Sequence, residues 1–393
     1  MGKLQDVMRV FVGAVLIFGG AIYASAAEQP KELEIGVITT QTGMGAAWGE
    51  QLKRSFILQS EQINARGGVT VAGKKYPLKL IYEDDKYTAD GARAAAEKLI
   101  HVDGVKFILG PIPSAGSVAI APFLEENKIV WFCFSATEKV LGPKFTYSFK
   151  AHSATTLSAP AITKWVEDNR PNIKTMAFVD PNDETGKSIS KAAIASLKRV
   201  RVTTNEYYER GTQDFYPLLT KVLSAKPDAI NLGGSDENSA ALIIKQAYEQ
   251  GFRGIFIHGV TIDTGNLIKL AGKSAANHYF HISPVFDSPL CPPKLKRFHA
   301  EYEARFPGKP SAFGMIGVDL LPTLVAGIQA ANSLDPTKVR DALEAMKVVH
   351  SYYGDTTWGF KELYGIAHQL RVPVFITEVT DGKNVVKAVT EMR

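Results

Sequence analysis

Apolar and polar residues follow two alternating rhythms along most of this chain. Short apolar runs, suited to strands, are each followed by a longer stretch in which apolar residues return every third or fourth position, as on one face of a helix. Residues 32–39 form the first run. Across 47–66, Trp48, Leu52, Phe56 and Ile63 recur at intervals of four and seven, and Gly67-Gly68 supplies the glycines that end a helix. Strand-like 79–83, helix-like 89–101, strand-like 105–110, helix-like 117–126 and strand-like 129–134 complete a β-α-β-α-β-α-β series. A helix between consecutive strands rules out tight hairpins, so the pattern predicts a mostly parallel sheet covered by helices on both faces.

The series restarts near residue 150. Strands are predicted at 175–180, 202–208, 229–232 and 254–258, with helices at 186–200, 214–225 and 237–250. Two α/β units in tandem follow. Beyond Pro284 come helical segments at 293–306, 316–331 and 336–346; then 372–379, Asp381-Gly382 and 385–389 read as a hairpin. Proline-rich spots at 284, 289, 292–293 and 307–310 mark loops or crossovers. Periodicity alone does not assign the residues beyond Pro284 to either unit.

The first residues read as an address. Lys3 and Arg9 are positive, 10–22 is apolar apart from glycines, and Ala24-Ser25-Ala26 and Ser25-Ala26-Ala27 offer the small-x-small pattern read by signal peptidase. The apolar run, roughly 13 residues, falls short of the roughly 20 that cross a bilayer. Residues 1–27 are therefore expected to be a cleaved signal peptide, and the mature protein a soluble periplasmic one. The rest is too long for one ordinary core and comfortable for two domains. The composition, 45% hydrophobic and 22% charged, is globular, and a formal net charge of +5 without any Lys/Arg block excludes the usual nucleic-acid binder. Cys133 and Cys291 are too few and too far apart for a disulfide framework. Cys133, inside the apolar run 129–134, reads as a small buried hydrophobe.

Ligands of open parallel sheets bind beyond the carboxyl ends of the strands. That rule nominates the loops 39–49, 110–116, 135–137, 180–185 and 233–236, all supplied with Gly, Ser or Thr. Their N–H groups and hydroxyls, with the helix N-termini that follow, suit a small ligand bearing a carboxylate; the same residues also simply make turns and caps. Enzyme signatures fail. Gly186-Lys187-Ser188 resembles the end of a P-loop, but the glycine required five positions earlier is Pro181. Gly43, Gly45 and Gly49 miss the dinucleotide spacing by one, and the acidic strand end at 83–85 comes about forty residues on rather than about twenty. Neither Ser114 nor Ser235 lies in a nucleophile elbow. His278 and His281, three apart in an apparent strand, point to opposite faces and cannot readily share a zinc. No catalytic residue, metal or cofactor is expected.

A set of motifs carries more. Ile35-Gly36-Val37 opens into Thr42-Gly43 and Trp48-Gly49; Ile63-Asn64-Ala65-Arg66-Gly67-Gly68, Tyr82-Glu83-Asp84-Asp85 and Gly110-Pro111-Ile112-Pro113-Ser114 follow; then come Gly233-Gly234 before a helix and Tyr353-Gly354 with Trp358. In order and spacing they resemble the leucine/isoleucine/valine-binding family of type I periplasmic binding proteins, over almost everything after the leader. The resemblance implies two doubly wound α/β lobes joined by a three-crossover hinge, the N-terminal lobe from 28–150 plus 285–370 and the C-terminal lobe from 151–284 plus 371–393. It also implies a monomer that closes on a small molecule and docks on an ABC transporter permease in the inner membrane. Positions matching Ser114, Ser135 and Thr137, with Ala115 and Ala136 beside them, hold the ligand carboxylate in amino-acid-binding members, and Trp48 falls where an aromatic covers the ligand.

The second lobe departs from the family. Its acidic partners for a ligand ammonium should fall near Thr155 and near Val260 or Thr261, and neither place is acidic; the aromatic positions are Thr185 and Ser235. An unpaired buried ammonium costs several kcal/mol, so an α-amino acid is expected to bind poorly unless Asp180, Asp183, Asp236 or Asp263 substitutes. The expectation is a carboxylate ligand without an α-ammonium, an aromatic or other organic acid, or an amide. The alternatives are a true branched-chain amino-acid binder, a ligand-sensing domain of the same fold and, third, a secreted hydrolase.

Overall fold

A computed structural model describes residues 31–308 and 312–392. The leader and part of the proline-rich spot at 307–310 lie outside them. Two separate parallel sheets dominate. In the first, strands run in the order Leu78–Asp84, Leu33–Thr39, Phe107–Leu109, Val130–Phe132 and Ser148–Phe149. In the second, Arg201–Tyr208, Thr175–Pro181, Ala229–Asn231, Ile255–His258 and Tyr279–His281 repeat that order, and the antiparallel pair Pro373–Thr380 and Lys383–Glu391 extends the edge. In each lobe the first strand lies between the second and third, so strand order reverses beside it. At that switch point two following helices leave on opposite faces and a crevice opens at the strand ends.

The chain crosses between sheets three times. It leaves the first after Ser148–Phe149 and returns after Tyr279–His281, laying helices Pro293–Arg305 and Leu320–Ala331 against the helix Ala46–Ala65. It crosses again after Gln369–Leu370 to reach Pro373–Thr380. Lys150 and Gln369 form a parallel bridge, so the first and third crossings run side by side. One apolar cluster is continuous from Ile35 and Phe56 under the first sheet to Phe178 and Phe280 on the second, so the lobes are packed together.

The tandem α/β pattern and terminal hairpin agree with the sequence reading. The helix Thr155–Asn169 was not foreseen, because Thr156 through Thr163 are all buried and a helix buried all round has no polar face to give it a period. The segment expected to be helical from 316 turns irregularly until Leu320. Cys133 and Cys291 are both buried and unpaired. Among the described residues no helix is long and apolar enough to cross a membrane.

Candidate ligand-binding site

The carboxyl ends of the two sheets face each other across a cavity that is open in part to solvent. Its first-lobe wall is aromatic and aliphatic: Trp48, Tyr87, Ile112 and Phe134, with Phe313 and Ile316 arriving from the segment after the second crossing. Trp48 stacks on Phe313 at 5.6 Å and 17°. The second-lobe wall is Thr185, Ile189, Gly234, Val260, Thr261 and Ile282, and the first crossing contributes His152, Ser153 and Thr155.

Local chemistry fixes these walls. Asp84 accepts hydrogen bonds from the Gln41 and Lys86 N–H groups, at 2.8 and 2.9 Å, while Asp85 accepts from the Thr40 hydroxyl at 2.6 Å and the Tyr87 N–H at 2.8 Å. The acidic strand end thus ties two ligand loops together. Gly49 is obligatory where the first helix crosses that loop, since a Cβ there would lie 1.7 Å from the Thr40 carbonyl oxygen. At Gly233, φ is +45° and a Cβ would meet Asp180 Oδ1 at 1.4 Å. The 135–137 loop is pinned from below by Lys150, wholly buried, whose ammonium donates to the carbonyls of Ser135 (2.9 Å) and Thr137. Burial holds that amine below its ordinary pKa.

Among the described residues no Asp, Glu, Lys or Arg lines the cavity. The four acids that could have replaced an ammonium partner are engaged elsewhere. Asp183, Asp236 and Asp263 cap helices, accepting from the N–H groups of Gly186, Ser239 and Gly265 at 2.8, 3.0 and 2.8 Å. Asp180 lies behind the wall, accepts from the Gly234 N–H at 3.2 Å, and is pushed up to about 8 by burial, so it is mostly protonated at neutral pH. His152 is held at about 3 by burial and by the nearby Lys150 ammonium, so its imidazole is neutral.

The lobes also meet beside the cavity. The guanidinium of Arg210, from the second lobe, sits 5.4 Å from the ring centre of Tyr87 and 5.9 Å from that of Trp48, both on the first. On its own lobe it pairs with Asp183 at 2.5 Å and lies 3.7 Å from Asp236. Lys139 reaches across to Glu184 at 2.8 Å on the solvent side. An adjoining cleft, sharing Tyr87 and Thr185 with the main cavity, is lined by Ser114, Ala115 and Asn182, by the carboxylates Asp183, Glu184 and Glu209, and by Arg210, whose charge Asp183 pairs. The helix Ser114–Glu126 begins there, and first-turn N–H groups have no partner within a helix.

Of the residues singled out in the sequence, Trp48, Ala136, Thr155, Thr185 and Thr261 line the main cavity, and Ser114 and Ala115 line the adjoining cleft. Ser135, Thr137 and Ser235 are buried behind the surface. Ser135 Oγ contacts Cys133 Sγ at 2.9 Å, the Thr137 N–H donates to Ser114 Oγ at 3.2 Å, and the Ser235 hydroxyl donates to the Leu232 carbonyl at 2.7 Å. Asp236 lies with Trp48 on a third surface cleft. Sequence reasoning missed Tyr87, which the strand-end rule could have nominated, and Phe313, which no local signal marks. His278 bonds Glu378 at 2.8 Å on the surface while His281 is buried.

A family model described as periplasmic binding protein matches residues 32–384. In sequence the chain is 24% identical over 344 residues to the leucine-, isoleucine-, valine-, threonine- and alanine-binding protein of Pseudomonas aeruginosa, covering 87% of this chain and 88% of that one. In structure it is similar to the branched-chain amino acid transporter substrate-binding protein LivJ of Streptococcus pneumoniae, in complex with isoleucine (TM-score 0.78, 21% identity, 92% of this chain and 99% of that one). It is likewise similar to a solute-binding protein of an ABC transporter from R. palustris, in complex with benzoate (TM-score 0.73, 18% identity, 92% and 97% covered). At these identities the structural likeness speaks for the fold.

Proposed function

Because the chain belongs to the periplasmic binding protein family, whose members bind solutes rather than transform them, we propose that it is the extracytoplasmic solute-binding protein of an ABC importer for an aromatic or other organic acid, or an amide. The observation that carries this reading is the cavity wall: rich in aromatic and aliphatic side chains, with hydroxyls and an imidazole among them and, among the described residues, no carboxylate to pair an ammonium. The apolar side of the main cavity is assigned to the body of the ligand. Its carboxylate is placed at the first turn of Ser114–Glu126, which offers free N–H groups and the positive end of the helix. The benzoate complex of the R. palustris protein supports the compatibility of the fold with such a ligand.

In this reading residues 1–27 direct export. The lobes, 28–150 with 285–370 and 151–284 with 371–393, hinge about the three crossings, and the closed monomer delivers its cargo to a membrane permease. A second reading, a branched-chain amino-acid binder, is favoured by the P. aeruginosa relative and the isoleucine complex. Titration calorimetry on unfolded, ligand-stripped and refolded protein separates the two. Benzoate-like acids are expected to bind and to raise the melting temperature; tight leucine or valine binding, with none for benzoate-like acids, refutes the proposal.

A further inference from the structure

His152 and Ser153 lie on the first crossing between the lobes, and both line the cavity. His152 is 2% exposed, yet its Nε2 has no hydrogen-bond partner, and the buried hydroxyl oxygen of Ser153 has none either. Buried polar atoms are almost always partnered, because leaving one dry forfeits its bond to water. Two adjacent orphans facing one cavity therefore form a hydrogen-bonding site without its partner. The imidazole is neutral, so Nε2 offers a lone pair or an N–H according to its tautomer and carries no charge. A cation is disfavoured as its partner, since among the described residues no carboxylate lines the cavity and the nearby Lys150 ammonium repels positive charge.

Building on the proposed function, we infer that the ligand presents an uncharged hydrogen-bonding group, a hydroxyl or an amide, to His152 Nε2, with Ser153 Oγ bonding the same group. The ligand class narrows from aromatic acids in general to those carrying a ring hydroxyl or an amide.

The test is calorimetry on the full mature chain with benzoate, its three hydroxy isomers, the matching methoxy compounds and benzamide. At least one hydroxybenzoate or the amide should bind about tenfold tighter than benzoate, with the methoxy analogue losing that gain. In His152→Phe, which keeps an aromatic ring of similar size, the preference over benzoate should shrink to within about twofold. The comparison of ligands on the unsubstituted protein stands even where the variant folds poorly. Benzoate binding as tightly as every hydroxylated and amide analogue overturns this inference and leaves the proposed function intact. Leucine binding with none of the aromatic compounds overturns both.

Discussion

Arg210→Met weighs the closed state. The pairing of Arg210 with Asp183 and Asp236, and its bond to the Gly234 carbonyl at 3.3 Å, lie within the second lobe and survive opening. Only the contacts with Trp48 and Tyr87, at 5.9 and 5.4 Å, exist solely when the lobes meet. The side chain is 8% exposed, so each cation–π contact is placed between the solvated and desolvated limits, at about 1 kcal/mol. Two contacts give about 2 kcal/mol of closure energy, or about 30-fold in the Kd of any ligand that binds by closing the cleft. Methionine keeps an unbranched stem against the rings and removes the guanidinium, with its charge and its hydrogen bonds inside the second lobe. The assay is calorimetry with the acid that binds the unsubstituted protein most tightly, paired with small-angle scattering of the ligand-free protein. We expect a Kd weakened by about 30-fold and a larger radius of gyration. The exposed Lys139→Ala change should move Kd less than about twofold, as surface pairs do. A Kd for Arg210→Met within twofold of the parent refutes this account of closure.

Two further predictions concern the scaffold. Glu167 Oε1 accepts from the N–H groups of Lys198, Arg199 and Val200 at 3.0, 2.6 and 2.8 Å; Glu167→Gln keeps an oxygen there and should cost about 1 kcal/mol, whereas Glu167→Ala strands three donors and should cost about 3 kcal/mol or more in urea unfolding. Similar losses for both would remove the shared oxygen from the account. Burial raises Asp319 from 3.8 to about 6, against hydrogen bonds from the Ser351 hydroxyl and the Tyr352 N–H. Its folded form therefore binds a proton more tightly than its unfolded form, so stability falls as pH rises from about 4 through about 6. That loss, up to about 3 kcal/mol, should be absent in Asp319→Asn. Parallel stability curves for parent and variant between pH 4.5 and 7.5 would contradict this.

The fold was largely legible because strand and helix periods differ and a helix separates consecutive strands. What escaped was the helix Thr155–Asn169, too buried for a polar face, and three-residue strands such as Val69–Val71, too short to show a period. The strand-end rule reached Thr185 because topology alone brings such loops together, whereas Thr155 and Thr261 came from the family resemblance. It could not reach Phe313, carried in by the second crossing from far along the chain. Nor could residue identity reveal that the Ser135, Thr137 and Ser235 groups already have partners, or that Asp180 sits behind a wall made possible by Gly233.

Lys150 belongs to two parts of the machine at once. Its backbone is a link of the first crossing, exchanging 2.8 Å hydrogen bonds with His368 and Leu370 of the third, while its ammonium grips the carbonyls of Ser135 and Thr137. Any rotation that bends the crossing must carry that loop along or strip a buried cation of its acceptors. Hinge and loop therefore move as a single lever, and the length of one side chain acts as its stop. The angle at which the lobes meet is gauged by the protein before any cargo arrives.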